Sequence, residues 1–380
     1  MKVAIIGKGT GAVLTALVCY YHGVDFDIFF DPETPILPVG ESTTPHVGDL
    51  IKKSLNISVG ELVERGIVSF KTGVRFIDWG CNPAFLHHFH TNKLAFHFEM
   101  SEFNPFIHDE LEHRGVQYIG EKVETITDNG NTVFLNDHEY DFVFQCSGWS
   151  DTDEYYEPLL ETVNAALLYP SEGIIDPFYT LHEATPDGWQ LGLPFPDRNL
   201  QKRGYLFNTK YTTVEEARLK VPENARLVEW KPKICKKLIQ SKNIAYVGNR
   251  LFFTEPMHAL SIYYYELFVE KICTEYLQNK TREAFCNLNY FYRREMTEYE
   301  MSIAFHYRYG SLHQTPFWND VRDKAKELFR AHPNSDADIL VNNIQLDIST
   351  GYSDLSNIGA FTANDVRMVH CGMTQTGIDF

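Results

Sequence analysis

Apolar and polar positions follow two different periods along this chain, and each change of period marks an element. Residues Val3 to Ile6 form a short continuous apolar run, which predicts a strand buried on both faces. Gly7-Lys8-Gly9-Thr10-Gly11-Ala12 follows at once and leads into the apolar-rich run Val13 to Tyr20, the order strand, tight turn, helix. In such a turn a first glycine allows the bend and a second lets the backbone approach a pyrophosphate. The small Ala12 lets helix and strand pack closely, and helix-terminal N–H groups face the anion. A second strand, Phe26 to Phe30, ends at Asp31, whose carboxylate is placed to accept hydrogen bonds from an adenosine ribose. Turn, strand context and terminal acid together predict a dinucleotide site.

Further along, Gly40-Glu41-Ser42-Thr43-Thr44-Pro45 reads either as a plain loop with a helix cap or as a loop offering N–H groups and hydroxyls to a cofactor. Val47 to Leu62 reads as helical with a break at Gly60. Val68 to Phe76 alternates, with Val68, Phe70, Val74 and Phe76 on one face and Ser69, Lys71, Gly73 and Arg75 on the other. Because Gly73 has no side chain, Lys71 and Arg75 stand beside an open patch. That face is either solvated or places an ammonium in a cavity, where it donates hydrogen bonds or acts as a nucleophile.

A helix is expected from Phe98 to Gly115, a strand from Val116 to Ile119, and a hairpin from Val123 to Leu135 around Asp128-Asn129-Gly130. The apolar strand Phe142 to Gly148 returns beside the first strand. From about Asn164, aromatic-rich alternation over Trp189 to Leu193 and Gly204 to Phe207 predicts a second sheet that keeps water from a site. Ile244 to Gly248 is again a buried type of strand, and Glu255-Pro256 opens a helix running to about Leu277.

Composition narrows the class. With 380 residues, 44% apolar and 22% charged, the chain can bury sizeable cores, and its apolar stretches are too short or interrupted to span a bilayer. A formal charge of −17 argues against a nucleic-acid partner held through phosphates. Seven cysteines without paired spacing make a reducing cytoplasm the expected compartment. His87, His88, His90 and His97 lie near Cys81, but their spacing matches no zinc signature, so no metal site is expected.

With these residues in view, the chain resembles the flavin-dependent halogenases of the tryptophan halogenase family over roughly residues 1 to 320. The Gly7 to Ala12 turn and Gly40-Glu41-Ser42-Thr43-Thr44-Pro45 correspond to the family's opening motifs, and Phe70-Lys71-Thr72-Gly73-Val74-Arg75-Phe76 to the strand carrying its lysine. Gly188-Trp189-Gln190-Leu191-Gly192-Leu193-Pro194, Glu255-Pro256-Met257-His258-Ala259-Leu260-Ser261-Ile262, Phe305-His306-Tyr307 and Pro316-Phe317-Trp318 follow in family order.

The resemblance implies an α/β fold, an FAD-binding Rossmann-like core with an aromatic-rich second sheet and C-terminal helices. It implies domains at 1-163 and 241-278 for the FAD core, 164-240 for the covering sheet and 279-380 for a C-terminal helical region. It further implies reduced FAD supplied by a separate flavin reductase, chloride or bromide as a second small substrate, and hypohalous acid passed to Lys71 beside an aromatic, indole-like substrate. FAD would be held by Gly7, Gly9, Thr10, Gly11, Ala12, Asp31, Glu41, Ser42, Thr43, Gly248, Glu255 and Pro256. Substrate and halide would meet Trp189, Leu191, Leu260, Ser261, Phe305, His306, Phe317 and Trp318.

The sequence departs from the family in the nucleotide turn, where the family usually has Ala-Gly in place of Gly11-Ala12, and at three later positions. The family's glutamate falls at His258, which accepts a proton but supplies no fixed negative charge; Ala259 replaces a serine and Leu191 a second tryptophan. Two alternatives stay open beside halogenation: a flavin-dependent aromatic monooxygenase, and a non-catalytic FAD-binding homologue.

Overall fold

The computed structural model describes all residues except 37–38, 90–93, 149–153, 334, 340, 342–360 and 375–380. In chain order the first elements are β1 (Lys2–Ile6), α1 (Thr10–Tyr21), β2 (Asp25–Phe29), β3 (Gly40–Ser42), α2 (Pro45–Leu55), α3 (Val59–Glu64), β4 (Val68–Lys71), β5 (Gly73–Ile77), β6 (Ala84–His88), β7 (Ala95–Glu99) and α4 (Met100–His113). Then come β8 (Gln117–Ile119), β9 (Ile126–Asp128), β10 (Val133–Leu135), β11 (His138–Tyr140), β12 (Phe142–Gln145), β13 (Tyr156–Pro158), β14 (Ala165–Glu172), β15 (Tyr179–Thr185), β16 (Gly188–Phe195) and β17 (Leu200–Phe207). The chain continues through α5 (Val214–Arg218), β18 (Arg226–Glu229), β19 (Lys233–Cys235), β20 (Ile239–Ser241), β21 (Ile244–Tyr246), β22 (Phe252–Phe253), α6 (Leu260–Glu275), α7 (Arg282–Tyr309), α8 (Pro316–Ala331) and α9 (Ala363–Thr374).

Two compact units share this chain, and each is assembled from separated segments. The first comprises Met1–Phe70, Lys93–Glu157 and Lys233–Arg294; the second comprises Lys71–Asn92, Pro158–Pro232 and Glu295–Phe380.

The first unit is built on a six-stranded sheet in the order β20-β21-β12-β1-β2-β8. Strands β21, β12, β1, β2 and β8 run parallel, and β20 is an antiparallel edge. As expected, Val3, Ala4 and Ile5 are fully buried at its centre, and β12 lies directly beside β1. Ala4, Ile6, Phe29 and Val143 pack with Val133, Leu135 and Tyr140 of the small β9-β10-β11 sheet into one apolar cluster.

The second unit carries the aromatic-rich sheet, seven strands in the order β18-β14-β17-β16-β15-β5-β6. Every pairing is antiparallel except β15 with β5. Ala165, Leu167, Tyr205 and Phe207 form a cluster with Ala217 and Ala225 on part of it.

Three sequence expectations need correction. The break in the Val47 to Leu62 helix falls at Asn56, in left-handed backbone (φ 60), and Gly60 lies inside α3. Ser58 restarts the helix with a capping box to Glu61, which fixes the boundary more strongly than one glycine weakens it. Phe98 belongs to β7, and the helix begins at Met100. The segment Val68 to Phe76 is two strands rather than one: β4 belongs with β3 and β7, whereas β5 joins the seven-stranded sheet. Alternation is not continuous across Thr72, so Lys71 and Arg75 do not share an environment.

Candidate active site

In the first unit, the turn after β1 has the form the glycines require. Gly7 sits at φ +122, and a Cβ there would lie 2.9 Å from the Cys146 carbonyl oxygen at the end of β12. A Cβ on Gly11 would come within 2.9 Å of the Gly248 Cα, so two bare backbones cross here. Nothing lies within 4 Å of a Cβ built on Gly9, which caps α1 without any side-chain hydrogen bond. The start of α1 therefore keeps N–H groups for an anion, and Ala12 is fully buried against the fold.

Around this turn stand groups that sequence reading did not join. The Thr10 hydroxyl donates to the Glu41 carboxyl at 2.5 Å, and burial pushes Glu41 up to about 7 while that hydrogen bond pulls the other way. Lys8 Nζ lies 4.0 Å from the Phe30 ring centroid and 5.4 Å from that of Tyr118. His108 is driven down to about 4 by burial, so it is neutral; its Nε2 donates to the Lys8 carbonyl and its Nδ1 accepts from Tyr118. Asp31 follows β2, with its carboxylate accepting from Glu33 N at 2.9 Å and from the Thr34 hydroxyl at 3.0 Å. The Gly40 to Pro45 motif is not a plain loop: Gly40, Glu41 and Ser42 form β3 against β7, and Thr43 N donates to the Phe96 carbonyl. These features fit a dinucleotide, with an uncapped helix start for phosphate and hydroxyl partners beside it.

The helix expected from Glu255-Pro256 starts later, at Leu260. His258 (φ 55) and Ala259 (φ 59) both adopt left-handed backbone inside the 3₁₀ turn Met257–Ala259 and separate it from α6. Glu255 (1% exposed), ahead of that break, and His258 (4%), within it, are both buried. No side chain caps α6, so the N–H groups beginning at Leu260 and Ser261 form an anion-attracting helix start.

In the second unit, Lys71 is 1% exposed, with its Nζ 5.3 Å from the Phe89 ring centroid. Burial alone pulls its pKa from 10.5 to about 7. The expected open patch is absent at Gly73, because a Cβ there would meet the His87 carbonyl oxygen at 2.1 Å: the missing side chain lets β6 close in. Arg75 is about one-third exposed and forms a 3.6 Å ion pair with Asp176.

In the same unit, aromatic side chains gather around Trp79, which the sequence reading missed. Trp79 meets Trp318 at 5.6 Å, Phe76 at 5.7 Å, Tyr307 at 5.9 Å and Trp189 at 6.2 Å, all edge to face. Trp189 Nε1 donates to the Tyr307 hydroxyl, and Trp318 Nε1 donates to the Thr185 carbonyl. Trp189 and Trp318 thus bury their rings without stranding their N–H groups, whereas the buried Nε1 of Trp79 has no hydrogen-bond partner among the described residues; burying a side chain of this size stabilises by about 3 kcal/mol. Phe317 packs beside Trp318 at 5.3 Å, Phe305 beside His306 at 5.3 Å, and Leu191 lies opposite His182 in the β15–β16 ladder.

His182, also missed, is fully buried between Phe76 and Trp189. Burial, followed by the charges of Lys71, His306 and His87, holds it well below the usual imidazole range. His306 is pushed down to about 4 by burial, and its Nδ1 donates to the Ser302 carbonyl at 2.8 Å. The histidines near Cys81 disperse: His87 pairs with Asp365, His88 with Tyr179, and His97 with Ser69 in the first unit, while His90 lies outside the described residues. Among the described residues no helix is long and apolar enough to cross a membrane.

A parallel nucleotide-type sheet with a glycine turn, joined in one chain to an aromatic antiparallel sheet, defines a dinucleotide-binding α/β protein of the flavoprotein kind. The tryptophan halogenase family model matches residues 2–93 and 90–332, and the chain belongs to that family of flavin-dependent halogenases. Solved structures agree in fold. A thermophilic tryptophan halogenase (Th-Hal) from Streptomycin violaceusniger has 15% identity and a TM-score of 0.83, with 98% of this chain and 92% of that chain covered. The tryptophan 6-halogenase SttH from Streptomyces toxytricini gives 16% and 0.82, with 99% and 91% covered. BrvH, a flavin-dependent halogenase from Brevundimonas sp. BAL3, gives 18% and 0.80, with 98% and 89% covered. No curated protein matches the sequence.

Proposed function

We propose that this chain halogenates a small aromatic, indole-like substrate with chloride or bromide, and that Lys71 guides the electrophilic halogen. The observation that carries this reading is the burial of Lys71 against Phe89 in the aromatic unit, with its pKa drawn to about 7. A lysine at its ordinary value is a poor acid at neutral pH. One near 7 gives up its proton about a thousandfold more readily, the match to working pH that general-acid catalysis requires. Lys71 donates a hydrogen bond to the oxygen of hypohalous acid and protonates that oxygen as the halogen leaves it. Phe89 and the aromatic side chains of this unit would exclude water that would otherwise dilute the reagent.

Bound FAD, reduced by a separate flavin reductase, supplies the oxidising equivalents from oxygen. Gly7, Gly9, Thr10, Gly11 and Ala12 would hold its pyrophosphate at the start of α1, with Gly248 giving close approach. Asp31, Glu41, Ser42 and Thr43 would meet its hydroxyl groups, and Glu255 and Pro256 its ring system. Leu260 and Ser261 would hold the halide through backbone N–H groups at the uncapped start of α6. Trp189, Leu191, Phe305, His306, Phe317 and Trp318 would shape the substrate chamber.

The decisive experiment supplies reduced FAD, oxygen and bromide to a panel of indoles and phenols and reads product masses. Lys71→Ala should oxidise reduced FAD and release no brominated product; an unchanged bromination yield would remove Lys71 from the mechanism. One observation favours the monooxygenase reading: His258 stands where the family has a carboxylate. Products heavier by one oxygen and lacking bromine would select that alternative.

A further inference from the structure

Resting on the reading of the glycine turn as a dinucleotide site, we propose that Lys8 is a further residue of that site and pairs its ammonium with the pyrophosphate of the bound dinucleotide. The glycines and Thr10 offer N–H groups and a hydroxyl; Lys8 adds the full positive charge that they lack. Place in the fold is the first support. Strands β1, β2 and β8 run parallel and side by side, and open α/β sheets take their ligands beyond the carboxyl ends of such strands. Lys8 stands just past the end of β1, Phe30 directly after β2, and Tyr118 next to the last residue of β8. Gly7 N donates to the Phe29 carbonyl at 2.7 Å, which ties the turn carrying Lys8 to the end of β2.

The side chain is held without being neutralised. Lys8 Nζ lies over the Phe30 ring, 4.0 Å from its centroid, and 5.4 Å from that of Tyr118. Among the described residues it forms no ion pair and no hydrogen bond. The acids at this end of the sheet are engaged elsewhere: Glu41 accepts from the Thr10 hydroxyl, and Asp31 from Glu33 N and the Thr34 hydroxyl. An aromatic face attracts an ammonium but carries no net charge, so the positive charge of Lys8 is left to be matched by an anion.

The backbone of Lys8 is fixed as well. His108, 2% exposed and kept neutral by burial, donates from Nε2 to the Lys8 carbonyl at 3.2 Å and accepts at Nδ1 from the Tyr118 hydroxyl at 2.9 Å. Tyr118 thereby supports Lys8 at both ends, its ring near the ammonium and its hydroxyl, through His108, behind the carbonyl. Ordering a flexible lysine before the ligand arrives lowers the entropy lost on binding. Both phosphates of a dinucleotide are negative, and the start of α1 supplies only about half a positive charge. In a chain of formal charge −17, a lysine within the turn offsets the repulsion that remains.

Calorimetric titration of the parent and of Lys8→Gln with FAD, ADP and adenosine separates the phosphates from the nucleoside. Lys8→Gln keeps an aliphatic stem over Phe30 and removes the charge. Affinity for FAD and for ADP should fall about tenfold, adenosine should bind as it does to the parent, and Lys8→Arg should restore most of the loss. Raising salt from about 0.05 to about 0.2 M should weaken ADP binding in the parent and hardly change it in Lys8→Gln. Equal losses for ADP and adenosine, or an unchanged ADP affinity, overturn the proposal. In the unaltered protein, bound ADP should slow acylation of the Lys8 amine by an amine-reactive reagent, read by peptide mass, and adenosine should not. Acylation at the same rate with and without bound ADP overturns the assignment whatever the variants do. A parent protein that binds neither FAD nor ADP defeats the dinucleotide reading and Lys8 with it; FAD binding indifferent to Lys8 defeats the assignment alone.

Discussion

Each unit holds one ionisable group that burial has brought to the same point from opposite directions. Glu41, beside the nucleotide turn, is pushed up to about 7; Lys71, in the aromatic unit, is pulled down to about 7. Desolvation disfavours the charged form of both, but for the acid that form lies at high pH and for the amine at low pH. The two units therefore carry opposite pH signatures in stability. Unfolded Lys71 binds more protons than folded Lys71 between pH 7 and 10.5, so its contribution to stability rises with pH across that window. Folded Glu41 binds more protons than unfolded Glu41 between pH 4.5 and 7, so its contribution falls as pH rises there.

The largest effect should come from Lys71→Met, which keeps the bulk and removes the desolvated charge. Relative to the parent, the variant should be more stable at pH 7 than at pH 10.5 by roughly 3–5 kcal/mol. The increase of stability between pH 7 and 10.5 should disappear. Urea unfolding at a series of pH values reads both. A variant less stable than the parent at pH 6 would mean that Lys71 is paired well enough to offset its burial. Product formation by the parent enzyme should fall as pH rises through 7, because the acid form of Lys71 is lost, while oxidation of reduced FAD follows no such profile.

Glu41→Gln is the counterpart in the first unit and a smaller effect. The carboxyl is only partly covered, and Thr10 already hydrogen-bonds to it, so the loss of stability between pH 4.5 and 7 should shrink by about 1–2 kcal/mol. An ionised Glu41 also opposes a nearby pyrophosphate. Affinity for FAD, measured by fluorescence quenching, should weaken from pH 6 to pH 8 in the parent and stay flat in the variant. Parallel curves for the two proteins would place Glu41 away from the cofactor.

These two groups were not equally legible. The Gly7 to Ala12 turn was legible as a turn because glycine is required where backbones cross, and the structure shows that crossing at Gly11 and Gly248. The α/β architecture, the β1–β12 pairing and the second aromatic sheet followed from apolar runs and alternation. Lys71 entered the reading through its strand, but the strand was read as continuous, and the face shared with Arg75 was an artefact of that. Thr72 carries no sign that one sheet ends and another begins. Trp79 and His182 both meet Phe76 through strand register, and Asp365 meets His87 from a helix near residue 370, separations that no local period encodes. The Thr362-x-x-Asp365 spacing marks a helix start, yet nothing in it names His87 as the partner.

His258→Gly separates strain from chemistry at the start of α6. His258 and Ala259 hold consecutive left-handed conformations, each unfavourable for a residue with a Cβ. Glycine at 258 should raise stability by about 1 kcal/mol through relief of that strain. If the imidazole serves the reaction, product formation should fall in the same protein while FAD affinity holds. A variant that is less stable would show that His258's buried contacts outweigh its backbone cost.

The smallest effect belongs to Arg75→Ala, and its value lies in the contrast with Lys71 four residues earlier. Arg75 is about one-third exposed, and its 3.6 Å pair with Asp176 is open to solvent and salt. Such pairs contribute about 0–1 kcal/mol. Stability should therefore change by no more than about 0.5 kcal/mol in 0.15 M salt, and halogenated product should form at the parent rate. The two cations have nearly the same place in the sequence, and only the break at Thr72 sends one inward and the other to the surface. A large loss of product from Arg75→Ala would mean that the chamber extends to the half-exposed side of β5, and the separation drawn between these two residues would fail.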